Sequence, residues 1–310
     1  MSQFVQLDGF RATSAGPRVS GHRGARGVLP ENTMESFAFC QTIGVASIEF
    51  DVVMTKDRVP VVVHNHTLDG SLARGGDGHW LPDPGPWVSE LTLAEVMACD
   101  IGAANRGTDY GRRFDDQATL PTAKVPTLAE VLAFTAAPEQ SGLHLFIEMK
   151  TDPNAADMAQ ERHDMAAAVI KEVRAAGVAH RVAMHSFDWA ILDECRAQAP
   201  DLPTSYLSYL PKPMSDTPQT ADRTVMPDLT QLEVSLPQAV ADAGGQMWCP
   251  FFLDVTQDLV TEAHELGLLV NAWTVNGVRE INRMIDIGVD GIVSDFPGRV
   301  QHCLLRRSLD

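Results

Sequence analysis

The chain has 310 residues, of which 45% are hydrophobic and 21% charged, and its formal net charge is −17. This composition is typical of a globular protein with a large core, and the length suits either two domains or one large barrel. The acidic balance argues against nucleic acid or an anionic membrane surface as a partner, because both require a basic footprint. An anionic substrate would need local cations, supplied by a metal ion or by a few Arg and Lys side chains.

The five cysteines are scattered and show no CxxC spacing. This pattern predicts reduced, mostly buried thiols rather than a disulfide framework or a zinc site. The first 18 residues contain no apolar run of signal-peptide length. No stretch approaches the roughly 20 apolar residues of a membrane span. We therefore expect a cytoplasmic protein without a stable membrane anchor.

Strand-like and helix-like segments alternate from the start of the chain. The strand VSGH is followed by a helix in ENTMESFAFCQTIG that ends at Gly44, and then by the apolar runs SIEFDVVM and VPVVVH. The region at about 66–124 is rich in Gly, Pro, Asp and Arg and has one clear helix near TLAEVMAC. We interpret this region as a small insertion after the third strand.

Regular alternation resumes after the insertion. The predicted elements, in order, are helix TLAEVLAFTAA, strand HLFIEMK, a helix over about 156–176, strand VAMHSF, helix DWAILDECRAQA, a strand near PTSYLSYL, a proline-rich loop over 211–237, strand QMWCPFF, helix TQDLVTEAHELG, strand LLVNAWTV, helix VREINRMIDIG and strand DGIVSD. Alternation implies parallel pairing, and about eight such units predict an α/β fold, a closed (β/α)8 TIM barrel forming a single domain over 1–310. Nine strand candidates compete for eight places, so one lies outside the barrel or is wrongly assigned.

Charged side chains interrupt strands that should be continuously apolar in a parallel barrel. In IEFDV, Glu49 and Asp51 are two residues apart and therefore share one face, and in LFIEMK the same holds for Glu148 and Lys150. The first strand ends in the sequence HRG. Burial of unpaired charges is costly, so these groups must contact one another or a ligand.

The gap between SIEFDVVM and VPVVVH is too short for a parallel crossover and predicts an antiparallel hairpin. With a two-residue loop at 57–58, His64 would lie directly opposite Asp51, and His66 opposite Glu49. A slip of one residue would move His64 to the other face of the strand.

Glu49, Asp51 and Glu148 are hard oxygen ligands of the type that Mg²⁺ or Ca²⁺ prefers, whereas a zinc site would contain more His or Cys. The alternative is that these acids form structural ion pairs with Arg23 and Lys150. The strand-end histidines His22 and His64 lie close in sequence to acids and are candidates for a general acid and base, or for structural roles.

Other polar and aromatic residues have two possible roles each. We interpret His66 as a loop histidine in contact with solvent rather than a phosphate contact, and Asp295 as a cap of the final helix. His185 is either a satisfied core histidine or a substrate contact. The insertion aromatics either pack a small subdomain or line an alcohol-binding rim; they are Trp80, Trp87 and Tyr110.

Five motifs occur in order from about residue 19 to 300: GHRGARGVLPENTMESF, IEFDVVMTKDRVPVVVH, FIEMK, NAWTVN and GVDGIVSDFP. Together they resemble the glycerophosphodiester phosphodiesterase family. The resemblance implies a (β/α)8 barrel with a small insertion. It also implies hydrolysis of glycerophosphodiesters, such as glycerophosphocholine or glycerophosphoethanolamine, to glycerol 3-phosphate and an alcohol.

The resemblance also implies roles for residues at matching positions. His22 and His64 would be the acid/base pair, and one divalent cation, Mg²⁺ or Ca²⁺, would be held by Glu49, Asp51 and Glu148. The substrate would be bound through its phosphate by Arg23 and Lys150 and through its glycerol by Trp273. We interpret Asn32, in PENT, as a helix N-cap in preference to a group that fixes the loop beside His22.

Two departures from the family pattern concern the side of the site that binds the alcohol. Asn65 stands where the family usually has Asp, and SLARGGDG replaces a downstream Arg-Thr-Thr element. The alternatives are a lysophospholipase D-type phosphodiesterase and a catalytically silent phosphate-binding barrel, although a silent barrel would be expected to have lost a histidine or an acid. A metal-dependent sugar-phosphate isomerase or aldolase fits the fold but not the two histidines.

Overall fold

A computed structural model describes residues 4–138, 142–210 and 225–309. Its strands are β1 (Arg18–His22), β2 (Ser47–Met54), β3 (Pro60–Val62), β4 (His144–Met149), β5 (Val182–Ser186), β6 (Thr204–Ser208), β7 (Met247–Pro250), β8 (Leu269–Ala272) and β9 (Gly291–Ser294). Its α-helices are α1 (Met34–Thr42), α2 (Leu93–Ala98), α3 (Asp109–Arg113), α4 (Leu128–Ala136), α5 (Met158–Ala175), α6 (Trp189–Gln198), α7 (Leu236–Asp242), α8 (Gln257–Glu265), α9 (Val278–Asp286) and α10 (Pro297–Arg307). Residues 211–224 of the predicted proline-rich loop lie outside the described residues.

Eight strands of the described chain form a closed parallel barrel. Their order is β1-β9-β8-β7-β6-β5-β4-β2, and pairing of β1 with β2 closes the ring. The helices between successive strands surround it, which confirms the predicted (β/α)8 TIM barrel. The ninth strand candidate is β3, which pairs antiparallel with β2 outside the ring.

Side-chain alternation in β2 explains how the barrel contains both a core and a polar site. Ile48, Phe50 and Val52 are fully buried in the layer between strands and helices. Because successive strand side chains point to opposite faces, Glu49 and Asp51 point into the barrel. Apolar side chains fill the rest of the interior, including the N-terminal segment through Phe10 and its neighbours.

The insertion has an apolar cluster of its own, built on the β2–β3 hairpin. Val53, Val61 and Val63 pack against residues of the inserted segment such as Leu68 and Val96. Helices α2 and α3 lie in this segment. The inserted residues are therefore attached to the barrel through the hairpin that precedes them.

The predicted hairpin register is wrong by one residue. The loop has three residues, 56–58, because Thr55 N donates to Val59 O and Arg58 adopts a left-handed conformation with φ of 61°. The observed pairs are Val52–Val62, Val53–Val61 and Met54–Pro60. His64 is therefore not directly opposite Asp51, and His66 is not opposite Glu49; both follow the end of β3.

The N-cap interpretation of Asn32 is also wrong. The N-cap of α1 is Thr33, whose side chain accepts a hydrogen bond from Ser36 N. Asn32 has a left-handed φ of 54° and donates from Nδ2 to Asp51 Oδ2 at 2.9 Å. Its role in the structure is to hold a buried carboxylate rather than to start a helix.

All five cysteines lie within the described residues, and they are buried and form no disulfide, as predicted. Among the helices of the described residues, none is both long and apolar enough to cross a lipid bilayer.

The cap of α1 gives a stability prediction. Thr33 is fully buried, and its Oγ1 accepts from Ser36 N at 3.2 Å and donates to Pro30 O at 2.8 Å. Thr33→Val keeps the side-chain shape and removes both bonds, so we expect the free energy of unfolding in urea to fall by about 1–2 kcal/mol. Thr33→Ser keeps the hydroxyl and should lose much less. Equal losses in the two variants would show that the cap does not stabilise the helix start.

Candidate active site and metal centre

The strand register brings chemically active residues to one end of the barrel. His22 of β1 is the Cα partner of Glu49 of β2, and Asp51 is the partner of Glu148 of β4. Glu148 is in turn the partner of His185 of β5. These residues lie toward the carboxyl ends of their strands, where the sites of (β/α)8 barrel enzymes are found.

Three buried carboxylates form a cluster that can hold a cation. Glu49, Asp51 and Glu148 each offer an oxygen, and these oxygens lie within 4.8 Å of one another. Within the described residues, Glu49 Oε1 and Asp51 Oδ1 accept no hydrogen bond. Buried acceptors without donors are costly, and a bound cation would satisfy them. The all-oxygen donor set fits Mg²⁺ or Ca²⁺.

The charge balance of the site also fits a divalent cation. Five buried carboxylates belong to one network of ion pairs that contains the cluster: Glu31, Glu49, Asp51, Glu148 and Asp295. The buried cationic side chains among them are three: Arg23, Arg26 and Lys150. With neutral histidines, the described part of the site therefore lacks two positive charges. A divalent cation would supply them.

The two acids of β2 have pKa values that are shifted in opposite directions. Burial, and next the Asp51 carboxylate, raise the pKa of Glu49 to about 8. Burial alone would raise the pKa of Asp51 too, but Arg23, His64 and Lys150 hold it well below its usual range. Without a cation, the cluster therefore keeps a proton on Glu49 near neutral pH.

The ion pairs considered as an alternative are present as well. Lys150 Nζ lies 2.5 Å from Glu148 Oε1 and 3.4 Å from Asp51 Oδ1. Arg23 Nη1 donates to Glu31 at 2.9 Å, and Arg23 Nε lies 3.3 Å from Asp51 Oδ2. The acids are therefore paired with cationic side chains and still offer a group of oxygens to a metal ion.

His22 is held by an acid from the far end of the chain. Its Nδ1 lies 2.6 Å from Asp295 Oδ1, and Asp295 also accepts from Arg26 Nε at 2.8 Å and from Asn276 Nδ2 at 2.7 Å. Burial alone would raise the pKa of Asp295, but Arg26 and His22 hold it well below its usual range. Because an ionised carboxylate only accepts hydrogen bonds, His22 carries its proton on Nδ1.

This arrangement leaves His22 Nε2 as the proton-accepting nitrogen, 3.8 Å from Glu49 Oε2. Burial, followed by the charge of Arg26, lowers the pKa of His22 to about 4 despite the opposing effect of Asp295. The interpretation of Asp295 as a helix cap is wrong, because the N-cap of α10 is Phe296 and makes no side-chain cap bond.

His64 approaches the cluster by a route that the hairpin register did not predict. It follows β3 in a bend, half-buried, with Nδ1 2.7 Å from Asn65 Oδ1. It is near enough to Asp51 to contribute to the lowered pKa of that carboxyl. The structure therefore places His22, His64 and the three acids in one region.

The other residues singled out from the sequence lie around this region and make different contacts. His66 is buried and stacks on Trp87, with ring centroids 5.9 Å apart, so its interpretation as a solvent-exposed loop histidine is wrong. His185 is buried and its Nδ1 is 2.9 Å from Ser205 Oγ, as expected of a satisfied core histidine. Trp80 lies on the surface and packs against Arg74.

Trp273 belongs to an aromatic wall of the barrel mouth. Its Nε1 donates to Cys249 O at 2.8 Å, which fixes the indole plane. The ring packs against Phe187 and Phe251, with centroid separations of 5.3 and 5.4 Å. Lys150 Nζ lies 5.7 Å from the Phe187 ring centroid, so the wall adjoins the charged cluster.

Three residues of the site were given no role from the sequence, and a fourth was given a different one. Glu31 and Asn276 lie inside the motifs PENT and NAWTVN, and Arg26 lies in GHRGARG, so motif membership was an available signal. Tyr110, interpreted only as a rim or packing residue, donates its hydroxyl to Glu31 Oε2 at 2.6 Å. Through this bond the insertion contacts the charged network directly.

The fold is a closed (β/α)8 barrel, and its acids, cationic side chains and histidines lie together at the carboxyl ends of the strands. These features place the protein in the class of (β/α)8-barrel enzymes. Within that class the chain belongs to the glycerophosphoryl diester phosphodiesterase family, whose model matches residues 22–299. The chain is therefore a phosphoric diester hydrolase, in agreement with the resemblance found in its motifs.

Individual relatives agree with this assignment. A glycerophosphodiester phosphodiesterase of Caldanaerobacter subterraneus is 27% identical over 90% of this chain and 94% of its own. A candidate glycerophosphoryl diester phosphodiesterase of Silicibacter pomeroyi is 52% identical over 98% of each chain, with a TM-score of 0.91. An Oleispira antarctica phosphodiesterase, solved with the product sn-glycerol-3-phosphate, is 20% identical over 94% of this chain and 98% of its own, with a TM-score of 0.66, and shares the fold.

The raised pKa of Glu49 gives a prediction for ion binding. Without a cation, Glu49 carries a proton for most of the time at neutral pH, so Glu49→Gln should change the metal-free free energy of unfolding by less than about 1 kcal/mol. The variant should bind Mg²⁺ and Ca²⁺ at least about tenfold more weakly, because one anionic ligand is lost. Calorimetric titration and thermal unfolding with and without the ion measure both effects.

The control for this experiment is Glu161→Gln, which removes a carboxylate paired with Arg58 at 2.7 Å. It should leave ion affinity unchanged. An unchanged affinity in Glu49→Gln would exclude Glu49 as a ligand.

The buried His185 gives a prediction for stability against pH. Burial, and next Lys150, lower its pKa from 6.5 to about 3, so the unfolded chain takes up a proton that the folded chain excludes. The stability that neutral His185 contributes is therefore present above its unfolded pKa and lost as the pH falls toward 3. Between about pH 7 and pH 5, wild type should lose about 2 kcal/mol relative to His185→Gln. Urea unfolding in EDTA at each pH measures this difference. If the free energies of unfolding of the two proteins changed equally with pH, the prediction would be contradicted.

Proposed function

We propose that the protein hydrolyses glycerophosphodiesters, such as glycerophosphocholine and glycerophosphoethanolamine, to glycerol 3-phosphate and the alcohol, with one divalent cation, Mg²⁺ or Ca²⁺. The observation that supports this proposal most directly is the buried cluster of Glu49, Asp51 and Glu148 beside His22. The carboxylate oxygens of the cluster lie within 4.8 Å of one another. Membership of the family supports the reaction class. The Oleispira relative that holds sn-glycerol-3-phosphate supports the product.

The anionic phosphate would be bound by charges that the site already concentrates. A cation held by Glu49, Asp51 and Glu148 would offset charge on the nonbridging phosphate oxygens, which grows in the transition state. Arg23 and Lys150 would donate to the same oxygens from their ion-paired positions. The buried acids hold Arg23 and Lys150 in position before substrate binds. These side chains therefore need to move little when negative charge develops on the phosphate.

The two histidines would exchange protons with the reacting oxygens. His22, kept neutral by its lowered pKa and protonated on Nδ1 by its bond to Asp295, would accept a proton at Nε2. His64, when both of its ring nitrogens carry a proton, would donate the Nε2 proton to the departing alcohol oxygen. The scheme allows two nucleophiles, because both present an O–H to the base: water attacks the phosphorus directly, or the glycerol 2-hydroxyl attacks first to form a cyclic phosphate that water then opens to glycerol 3-phosphate.

The glycerol moiety would lie against the aromatic wall around Trp273. The wall adjoins Lys150, so a phosphate bound at the cluster would bring its glycerol carbons next to the indole ring. An aromatic face is suited to the C–H groups of glycerol, while the hydroxyls remain available for hydrogen bonds.

The acid/base proposal is tested by removing each imidazole. We expect His22→Ala and His64→Ala each to lower kcat for glycerophosphocholine by about 10²–10⁴-fold, the usual contribution of a positioned acid or base. EDTA should abolish wild-type activity, and Mg²⁺ or Ca²⁺ should restore it. Release of glycerol 3-phosphate in a coupled assay measures the rate.

The matched control is His163→Ala, which removes a largely exposed imidazole on α5 and should leave kcat unchanged. Undiminished hydrolysis in either active-site variant would refute the acid/base assignment of that histidine. A parallel panel of lysophospholipids distinguishes glycerophosphodiester hydrolysis from a lysophospholipase D activity.

A further inference from the structure

Three side chains after β3 form a hydrogen-bonded chain that ends on His64. His64 Nδ1 lies 2.7 Å from Asn65 Oδ1, and Asn65 Nδ2 donates to Asp69 Oδ2 at 3.1 Å. The other Asp69 oxygen, Oδ1, accepts from Ser71 N at 2.8 Å and from the Ser71 hydroxyl. All the members lie on the segment that begins the insertion, beside the charged cluster.

The chemistry of Asp69 sets the direction of every bond in this chain. An ionised carboxylate only accepts hydrogen bonds, so it requires the NH₂ group of the Asn65 amide to face it. The amide oxygen must then face His64, and an oxygen acceptor requires a proton on His64 Nδ1. These two hydrogen bonds link the position of a proton on His64 to the carboxylate of Asp69.

Neighbouring backbone contacts hold Asp69 in place. Its carbonyl accepts from Leu72 N and Ala73 N, which forms a turn around the carboxylate. Asn105, from farther along the insertion, donates from Nδ2 to Gly70 O at 2.8 Å and from its backbone N to Ser71 O at 2.9 Å. The carboxylate therefore has a defined position relative to Asn65.

We propose that Asp69 is a positioning residue that acts through Asn65 to keep a proton on His64 Nδ1, so that Nε2 is the nitrogen that takes up a proton and passes it to the departing alcohol. This proposal rests on the proposed function of His64 as an acid/base group. It also gives Asn65 a defined function, because this amide connects His64 to an acid four residues farther along the chain. His22 has the direct version of the same contact, to Asp295.

The single variant Asp69→Asn removes the carboxylate that fixes the orientation of the Asn65 amide. Both side chains are then amides, and Asn65 can turn its NH₂ group toward His64 and favour the opposite tautomer. We expect kcat for glycerophosphocholine to fall at least about tenfold with KM changed less than about twofold, since partners that orient an active-site group commonly contribute 10–100-fold or more.

The double variant Asn65→Asp with Asp69→Asn exchanges the acid and the amide. The carboxylate now at position 65 can accept directly from His64 Nδ1–H. The amide now at position 69 can donate to that carboxylate while its oxygen still accepts from Ser71. The order of donors and acceptors and the net charge are both kept. We expect the double variant to recover kcat to within a few-fold of wild type, which a loss of packing at position 69 would not allow.

Nitrogen NMR of the metal-free protein, labelled with ¹⁵N-histidine, reads the tautomer without any assay of activity. His64→Gln assigns the signals. At a pH where the His64 ring is neutral, wild type and the double variant should show a proton-bearing Nδ1 and a bare Nε2 on His64, and Asp69→Asn should show a loss of that pattern. Asp77→Asn is the control, because it changes an acid to an amide in the same insertion at an exposed residue whose side chain accepts from His79 N.

Unchanged His64 signals and unchanged kcat in Asp69→Asn would overturn the proposal, as would a double variant as impaired as the single one. If Asp69→Asn does not fold, the double variant decides: the wild-type tautomer supports the proposal, and the other tautomer refutes it. If wild type hydrolyses no glycerophosphodiester, the proposed function fails, while the NMR comparison still decides whether Asp69 positions His64.

Discussion

The burial of Asp51 imposes the constraint on which the barrel mouth depends. This carboxylate is fully buried, and a buried charge is tolerated only when other groups pair with it. Its partners come from three separate places: Arg23 after β1, Asn32 before α1 and Lys150 after β4. Each partner is itself a residue of the site. Satisfying one buried charge therefore assembles most of the region in which the proposed chemistry takes place.

The two proposed catalytic histidines are oriented by the same principle with different chemistry. His22 contacts a carboxylate directly, and that carboxylate is held by a guanidinium and an amide. His64 contacts an amide, and a carboxylate lies one bond farther away. A direct carboxylate stabilises a charged imidazole more than an amide does. The two imidazole rings therefore lie in different electrostatic environments. Such a difference allows one ring to act as an acid while the other acts as a base.

The insertion is part of the site rather than an addition to the barrel. Tyr110 donates to Glu31, which also accepts from Arg23, so one acid joins the inserted segment to the charged network. The same segment supplies Asp69 and, by stacking on Trp87, a defined position for His66. Loops at the carboxyl ends of barrel strands commonly carry specificity in this way. The alcohol side of the substrate is where we expect this segment to act.

Local pattern was enough to predict the barrel, the free cysteines and the acids that share a face. Strand alternation has a period of two, so Glu49 and Asp51 could be placed on one side of β2 without any coordinates. The motifs added the family and hence the expected roles of His22, His64 and Glu148. The Asn32 prediction failed because an N-cap and a loop residue have the same local sequence preferences, and here Thr33 takes the cap.

The sequence by itself determined which residue types lie at the strand ends, because periodicity and motif order are local properties. Only the tertiary structure decided which groups touch: the hairpin register depended on one left-handed residue, Arg58, and a single-residue slip changes every cross-strand partner. The contact of His22 with Asp295 joins residues 273 positions apart, and no local pattern specifies it. The contact of Asn65 with Asp69 likewise depended on where the fold placed the inserted segment.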